Sequence, residues 1–237
     1  DPFLNEEYYK FMAFWNNTRD EDTPGDHPNL RMYKEDDQKK LDAIVTWVKE
    51  QGDASRAQQV TKFLRTLEPK FHPHEFDQIE NGSLLDNKFL GIRPGGNARL
   101  KAKKLDGKAY LVMSCWTSTP GGTMVIRAGS KEGKVIANYK IEKGSGTVLV
   151  PLVPTVGTHD LYFFFYNNSI APDWATSSID WMAFLEDLPA RESPLYPTMK
   201  KTFTELINAK VENTPIMVEN TPEQRRTTNI FVRGSWL

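Results

Sequence analysis

The stretch best suited to chemistry is a run of aromatic side chains, GTHDLYFFFYNN at residues 157–168. Alternate side chains of a β-strand point to opposite faces of its sheet, so only half of the run can face a core. We predict that the core-facing residues are Leu161, Phe163 and Phe165. The outward-facing set is then Tyr162, Phe164 and Tyr166. A row of outward aromatic rings usually lies beneath another group.

Motifs for several common kinds of catalysis are missing from the sequence. It contains no G-x-S-x-G nucleophile elbow, no phosphate-binding loop and no H-E-x-x-H zinc motif. Acids far apart in the sequence can still meet in the fold, so the sequence leaves a carboxylate pair open. We expect a protein without catalytic activity.

Length and charge limit the number of domains and the kinds of partner that the chain can have. The chain has 237 residues, enough for one large domain or for a medium domain with extensions. Its 30 basic and 31 acidic residues give a net charge of −1 without a block of one sign. We therefore expect neither nucleic acid nor an anionic membrane as a partner. No apolar run reaches the ~18 residues typical of a membrane-spanning helix, so no membrane span is expected.

Cysteine usage excludes two kinds of site. Cys115 is the single cysteine, so the chain can form neither an internal disulfide nor a C-x-x-C-H haem attachment, and we expect no haem within it. In its context, YLVMSCWTS, Cys115 is predicted to be a small buried hydrophobe.

The middle of the chain, residues 76–188, has the pattern of a mainly β domain. Runs rich in Val, Ile, Tyr, Phe and Trp recur roughly every ten residues, separated by Gly, Pro, Ser or Asn. The clearest runs are KAYLVMSCW, GTMVIRAG, KVIANYKI, GTVLVPL, HDLYFFFY and SIDWMAFL. Two weaker runs, LLDNKFLGI and ARLKAKKL, precede them. The pattern predicts a jelly-roll β-sandwich.

Residues 1–75 and 189–237 are predicted to be helical flanks, because apolar residues recur there at helical spacing. The four apolar faces are Tyr8, Phe11, Met12 and Trp15; Leu41, Ile44, Val45 and Val48; Val60, Phe63, Leu64 and Leu67; and Met199, Phe203, Leu206 and Ile207. Ser55 and Gln58 have the spacing of a capping box. Isolated helices are marginal in water, so we expect the flanks to pack together or against other parts of a parent protein.

The sandwich segment resembles a family 6 carbohydrate-binding module. The resemblance rests on GIRPGGNARLK at residues 91–101, TPGGTMVIRAG at 119–129, GTHDLYFFF at 157–165 and SSIDWMAF at 177–184. It covers nearly half of the chain, and its last two strands are the most specific part. It implies a jelly-roll sandwich that binds a sugar without catalysis.

In the resembled family, loops at one end of the sandwich hold the sugar with aromatic rings and hydrogen-bonding groups. The resemblance makes Trp174, in the loop NNSIAPDWATSS, a stacking ring, with partial core packing as the alternative. Trp116 is a second candidate ring, again with core packing as the alternative. Asn167 is a candidate hydrogen-bonding group or a turn former. Ser178 stands where the family has an asparagine, and Asn97 where it often has an aromatic, so both depart from the family pattern.

A structural calcium ion is also implied, since members of the family often hold one with carboxylates and backbone carbonyls. Its candidate ligands by position are Glu75, Asp77, Glu80 and Asp180. The alternative is that these acids are solvated or form salt bridges. His72 and His74 have no third ligand nearby in the sequence and are predicted to be linker residues.

The outward aromatic set has two alternative covers. One is a sugar bound on the sheet face, and the other is the pair of helical flanks of the same chain. Because two amphipathic flanks are available, we favour the flanks.

The flanks resemble domains found beside cytochrome c modules in surface proteins of planctomycete type. The resemblance rests on DPFLNEEYYKFMAFWNNT at residues 1–18 and TPIMVENTPEQRRTTNIFVRGSWL at residues 214–237. It implies a larger exported bacterial protein, in the periplasm or at the cell surface, with its haem sites in other modules. We expect both ends to be cuts through a longer polypeptide and the two terminal segments to contact each other.

Two functions of different classes follow. The first is non-catalytic binding of a polysaccharide or oligosaccharide by the sandwich. The second is a structural or interaction module that has lost its sugar site and assembles with flanking domains or subunits of the parent protein. Trp174 and the family pattern favour the first, whereas the departures at Asn97 and Ser178 favour the second. A weaker third hypothesis makes the chain part of an enzyme whose active site lies in other domains.

Overall fold

A computed structural model describes residues 4–19, 28–86, 88–118, 121–220 and 225–230. Parts of the quoted terminal segments, residues 1–3, 221–224 and 231–237, lie outside these ranges, as do Thr119 and Pro120 of the TPGG segment. Within the described ranges, no helix has the length and apolar character needed to cross a membrane.

Helices and strands follow one another in three groups along the chain. The N-terminal group is α1 (Asn5–Asn16), β1 (Thr18–Arg19), β2 (Asn29–Met32), α2 (Glu35–Glu50), α3 (Ala54–Thr66) and a 3-10 helix at Pro73–Glu75. The middle group is β3 (Phe76–Leu85), β4 (Phe89–Lys104), β5 (Lys108–Thr117), β6 (Gly122–Ala128), β7 (Lys134–Ile141), β8 (Gly144–Pro151), β9 (Thr158–Tyr166) and β10 (Ser177–Glu186). The C-terminal group is α4 (Tyr196–Ile207), β11 (Glu212–Pro215) and β12 (Val218–Glu219).

The middle strands form one antiparallel sheet that folds over on itself. Its strand order is β7-β6-β9-β4-β10-β5-β8, and β3 pairs with β4. The edge strands β7 and β8 lie next to each other, so the sheet nearly closes into a sandwich. The mainly β fold class with helices at either end is therefore confirmed.

Strand β4 turns the corner between the two layers of the sandwich. Its first part pairs with β10 and its last part with β9, so one strand belongs to both layers. The corner lies at Gly95 and Gly96. Gly95 has a φ of 78°, and a Cβ on Gly96 would lie only 2.5 Å from the Asn81 carbonyl oxygen. The segments LLDNKFLGI and ARLKAKKL are thus parts of two long bent strands rather than two separate short ones.

The interior of the sandwich is an apolar core filled from both layers. Leu161, Phe163 and Phe165 of β9 are fully buried in it, as predicted from the alternation. The ring of Phe76 meets that of Phe163 edge to face, with centroids 5.3 Å apart. Cys115 packs against this core, and burial raises the pKa of its thiol.

A second apolar core joins the helices to the sandwich. Helices α2, α3 and α4 pack on the outer face of β5, β8 and β10. Val112, Trp181 and Ala183 contribute from the strands, and the predicted faces of α2, α3 and α4 contribute from the helices. The predicted capping box at Ser55 is wrong, because the Asp53 side chain accepts the capping hydrogen bond, from the Arg56 N–H at 2.7 Å.

The predicted cover of the outward aromatic set is also wrong. The helices lie on β5, β8 and β10, whereas Tyr162, Phe164 and Tyr166 lie on the outer face of β9 in the other layer. The physical reason is the composition of the two outer faces. Apolar Val112 and Trp181 line the covered face, while β9 has Arg99 and Arg127 as outward neighbours of Tyr162.

The two terminal segments contact each other, as expected. Strand β1 pairs with β12, and β2 pairs with β11. The Asn17 side chain accepts a hydrogen bond from the Arg226 N–H at 2.8 Å and donates one to the Arg226 carbonyl at 3.1 Å. Helix α1 directly precedes β1 in the chain, and none of its residues is buried.

Candidate functional site

Exposed indole rings mark the place where β10 begins. Ser178 of β10 lies opposite Trp116 of β5 on one side and opposite Gly91 of β4 on the other. The residues next to these three, among them Ile179 and Leu90, point into the interior core. Gly91, Ser178 and Trp116 therefore point outward together. Trp116 is 56 % exposed, so it is not packed in a core.

Trp116 is exposed because the helical layer stops just before it. Helix α4 ends at Ile207, and the Asn208 amide then clamps the backbone of Thr147 in β8. Its Oδ1 accepts from the Thr147 N–H and its Nδ2 donates to the Thr147 carbonyl, both at 2.9 Å. The β8 partner of Trp116 is Ser145, two residues before Thr147 and beyond the clamp. Both strand partners of Trp116, Ser145 and Ser178, have small side chains.

Trp174 lies in the loop that leads into β10 and is 55 % exposed. Backbone bonds hold this loop in place. The Trp174 N–H donates to the Ala171 carbonyl at 3.0 Å, and Arg93 Nε donates to the Asp173 carbonyl at 3.1 Å. Thr176 N–H donates to the Ile92 carbonyl at 2.7 Å. Ala175, the residue after Trp174, lies beside Gly91, because a Cβ on Gly91 would be 3.6 Å from the Ala175 Cβ. We call the exposed region at the start of β10, with Gly91, Trp116, Ser145, Trp174 and Ser178, the tryptophan surface.

The two predicted asparagines do not belong to the tryptophan surface. Asn167 is buried, and its Oδ1 accepts from the Ser169 N–H at 2.9 Å, which is the turn-forming role. Asn97 is buried in the other layer opposite Phe164, and its Nδ2 donates to Glu80 at 2.8 Å. Gly91 and Ser145, in turn, carry no sequence signal, because their place beside Trp116 depends on the register of strands distant in the sequence.

Three of the acids proposed as calcium ligands form ion pairs instead. Glu75 pairs with Lys103 at 3.0 Å, Asp77 with Arg99 and Lys101 at 2.6 Å, and Glu80 with Lys131 at 2.6 Å. The hydrogen bond from Arg99 is the main cause that lowers the pKa of Asp77 to about 2. These acids are therefore already satisfied by basic side chains.

A metal site is not assembled in the described ranges, where no three His, Cys, Asp or Glu side chains come close enough to hold an ion. Asp180 lies on β10, apart in the sheet from the β3 acids. His72 and His74 stack on each other with ring centroids 5.8 Å apart. The calcium ion implied by the resemblance stays a prediction, and the Tm with and without EDTA would test it.

The outer face of β9 is a second aromatic surface. Phe164 and Tyr166 stack with an interplanar angle of 9° and centroids 6.5 Å apart. Tyr162 and Phe164 are half-buried beside charged neighbours, whereas Tyr166 is exposed. A ligand ring would therefore find one accessible aromatic on β9, against two indoles on the tryptophan surface.

Solved structures with similar chain traces include three carbohydrate-binding modules of family 6. The module from Clostridium cellulolyticum, in complex with xylose, has 16% sequence identity and a TM-score of 0.43, covering 49% of this chain and 96% of its own. A β-1,3-glucan-binding module from Bacillus halodurans has 20% identity and a TM-score of 0.41, with shares of 48% and 93%. A module from Clostridium stercorarium, in complex with cellobiose, has 15% identity and a TM-score of 0.41, with shares of 50% and 93%. No protein-family model and no curated protein matches the chain.

Proposed function

We propose that the chain binds a carbohydrate, without catalysis, at the tryptophan surface. The observation that supports this most is the pair of exposed indoles at the start of β10, Trp116 opposite Ser178 in the sheet and Trp174 in the loop that leads into the strand. Sugar rings have apolar C–H faces that stack on aromatic rings, while their hydroxyls need fixed hydrogen-bonding groups. The Ser178 and Ser145 hydroxyls, next to Trp116, are such groups.

Trp174 is the largest contributor to this binding, since its loop is pinned to β4 and holds the ring in position before a ligand arrives. A stacking ring is worth about 1–3 kcal/mol by analogy with base stacking. Trp174→Ala should therefore weaken the affinity about tenfold, and Trp116→Ala should also weaken it. A glycan array with the whole chain finds the ligand, and calorimetry then measures each variant.

Tyr166→Ala is the matched control, because it removes an exposed aromatic from the other layer. It should leave the affinity unchanged. If Tyr166→Ala weakens binding and neither tryptophan variant does, the sugar binds on the outer face of β9 and the proposed site is wrong.

The stability of the same variants separates an exposed ring from a buried one. Trp174→Ala should leave the Tm nearly unchanged. Trp181→Ala removes a ring that is 2 % exposed and should cost about 3–5 kcal/mol of unfolding free energy. A large loss of stability in Trp174→Ala would show that its effect on binding is indirect.

An interaction module is the second candidate function, and helix α1 is the observation that favours it. Leu4 at its N-cap and Tyr8, Phe11 and Phe14 within it are all more than half exposed. Apolar side chains in such number usually contact a partner. If the array finds no glycan and Phe11→Ser abolishes a self-association seen by sedimentation velocity, this function replaces sugar binding.

The larger exported protein, its flanking domains as partners and the periplasmic or cell-surface location belong to the same proposal. They rest on the resemblance of the terminal segments. Fractionation of the source cells with an antibody against the chain would test the location.

A further inference from the structure

A cavity of about 310 Å³ lies under α3, between that helix and the end of the sandwich. Its walls come from α3, α4 and the outer face of β5, β8 and β10. It reaches the last residues of β10, Leu185 and Glu186, whereas the tryptophan surface surrounds the first residues of that strand. The volume is at the lower end of the roughly 300–1,000 Å³ that small-molecule sites span.

The floor of the cavity is apolar. Val60 and Phe63 face it from α3, Phe203 from α4, and Leu149 and Leu185 from the sheet. The rings of Phe63 and Phe203 stack with centroids 6.1 Å apart and close one side. Such a floor favours the apolar body of a ligand over water.

The acids at the rim are already neutralised. Glu186 pairs with Arg56 and with Lys108, both at 3.2 Å. Asp187 accepts a hydrogen bond from the Tyr196 hydroxyl at 2.6 Å and forms an ion pair with Arg191. Glu68, the third acid of the lining, pairs with Arg19 at 2.5 Å, so an anion entering the cavity would meet carboxylates that already have a basic partner.

Two cations at the rim form no salt bridge in the described part of the chain: Lys62, which is exposed, and Lys200, which is half-buried. The Lys200 ammonium group lies 4.3 Å from the centroid of the Tyr110 ring and donates a hydrogen bond to the Tyr110 hydroxyl. An ammonium group has three N–H donors, and the Tyr110 hydroxyl takes one of them. The remaining donors lie at the edge of an apolar cavity and can bind an anionic oxygen.

We propose that this cavity binds a small amphipathic carboxylate, with its apolar body on the floor and its carboxylate on Lys200. An uncompensated cation that is partly withdrawn from water is stabilised by a counter-anion. A charge-assisted hydrogen bond would supply the polar contact and the Phe63–Phe203 floor the apolar one. This ligand site is independent of sugar binding.

Octanoate is the probe, and 1-octanol, which has the same number of carbons but no charge, is the control ligand. Calorimetry with the whole chain should detect octanoate binding and weaker binding of octanol. Lys200→Met should weaken the affinity for octanoate about tenfold. The matched control is Lys201→Met, which removes the same charge from a side chain that is 79% exposed on α4 and should have no effect.

A second variant, Gln59→Trp, blocks the cavity from its exposed rim without changing the core. It should abolish octanoate binding while circular dichroism shows an unchanged fold, so it decides the question even if Lys200→Met fails to fold. The proposal is overturned if the wild type does not bind octanoate or if octanol binds equally well. Equal effects of the two lysine variants, or unchanged binding by folded Gln59→Trp, would also overturn it.

Discussion

At the scale of single residues, Lys70 is a buried amine without a hydrogen-bond partner among the described residues. Its side chain is fully buried, with Nζ 3.9 Å from Glu68 Oε1 and 5.0 Å from the centroid of the Trp181 ring. Burial is the main cause that lowers the pKa of Lys70 to about 7, and burial also raises the pKa of Glu68. Glu68 keeps a second partner, because Arg19 pairs with it.

Replacing this buried amine should change how stability depends on pH. The pKa of Lys70 is lower in the folded than in the unfolded chain, so the unfolded state binds more protons above about pH 7. Lys70 therefore makes stability rise with pH from about 7 towards its ordinary pKa of 10.5, by up to about 1.4 kcal/mol per unit. Lys70→Met should remove that rise and should be more stable than the wild type at pH 6, because no ammonium group is then buried without a hydrogen bond and Glu68 still pairs with Arg19.

Urea denaturation at pH 6, 7.5 and 9 measures both effects. Lys201→Met serves as the control and should follow the wild type at every pH. The same dependence of stability on pH in Lys70→Met and in the wild type would contradict the argument.

The residues of the candidate site were predictable only in part. Resemblance and local polarity point to Trp174, Trp116 and Ser178, since loops at a sandwich end follow from the strand pattern. Asn97 and Asn167 have the same polar side chain, but only the fold shows that one meets Glu80 and the other closes a turn. A side chain's burial depends on neighbours that are distant in sequence.

On the scale of strands, the corner of β4 needs the space that Gly96 leaves beside the positive-φ Gly95. Gly96 leaves room for the backbone oxygens of Asn81 and Glu80, which would lie 2.5 and 2.7 Å from a Cβ. Gly91 of the same strand would place its Cβ no closer than 3.3 Å, to the end of the Leu85 side chain. Neither glycine needs a positive φ, so the two differ mainly in available space.

Gly96→Ala should therefore destabilise the fold by about 1–3 kcal/mol, the usual cost of overpacking. Gly91→Ala in the same strand is the matched control and should change stability by less than about 0.5 kcal/mol. Chemical denaturation of the two variants gives both values. Equal stabilities would mean that β3 and β4 can separate at the corner without cost.

The strand pattern predicts each element better than it predicts their packing. Alternation in β9 is local, so its inward set was predictable. The choice of the layer that the helices cover depends on residues distant in sequence, although the sequence of β5 indicates that this strand is covered. Residues 110–113 are an unbroken apolar run, and such a run is typical of a strand buried on both faces. The similar run in β9 misleads, because its outward neighbours are Arg99 and Arg127 rather than helices.

For the molecule as a whole, the sandwich and the helical layer are joined through a shared core. The fragment of residues 76–188 contains all strands of the sandwich, so we expect β-type circular dichroism and cooperative unfolding. Without the helices, Val112 and Trp181 become exposed, so the fragment should be less stable than the whole chain and should associate.

Urea denaturation and sedimentation velocity of the fragment and the whole chain provide the comparison. If both have equal stability and the fragment stays monomeric, the helices are not part of the folding unit. If the fragment has no cooperative transition, the sandwich needs its helical cover to fold.

The pairing of the terminal segments determines how the molecule carries mechanical load. A pull on residues 4 and 230 acts first on the β1–β12 pair and on the Asn17–Arg226 hydrogen bonds. The β1–β12 and β2–β11 pairs are both antiparallel and are pulled from the ends nearest the two termini, so their contacts open one after another at low force. The β2–β11 pair follows next along the chain. The sandwich lies outside the path of the force until both pairs have opened, so moderate tension leaves the tryptophan surface intact.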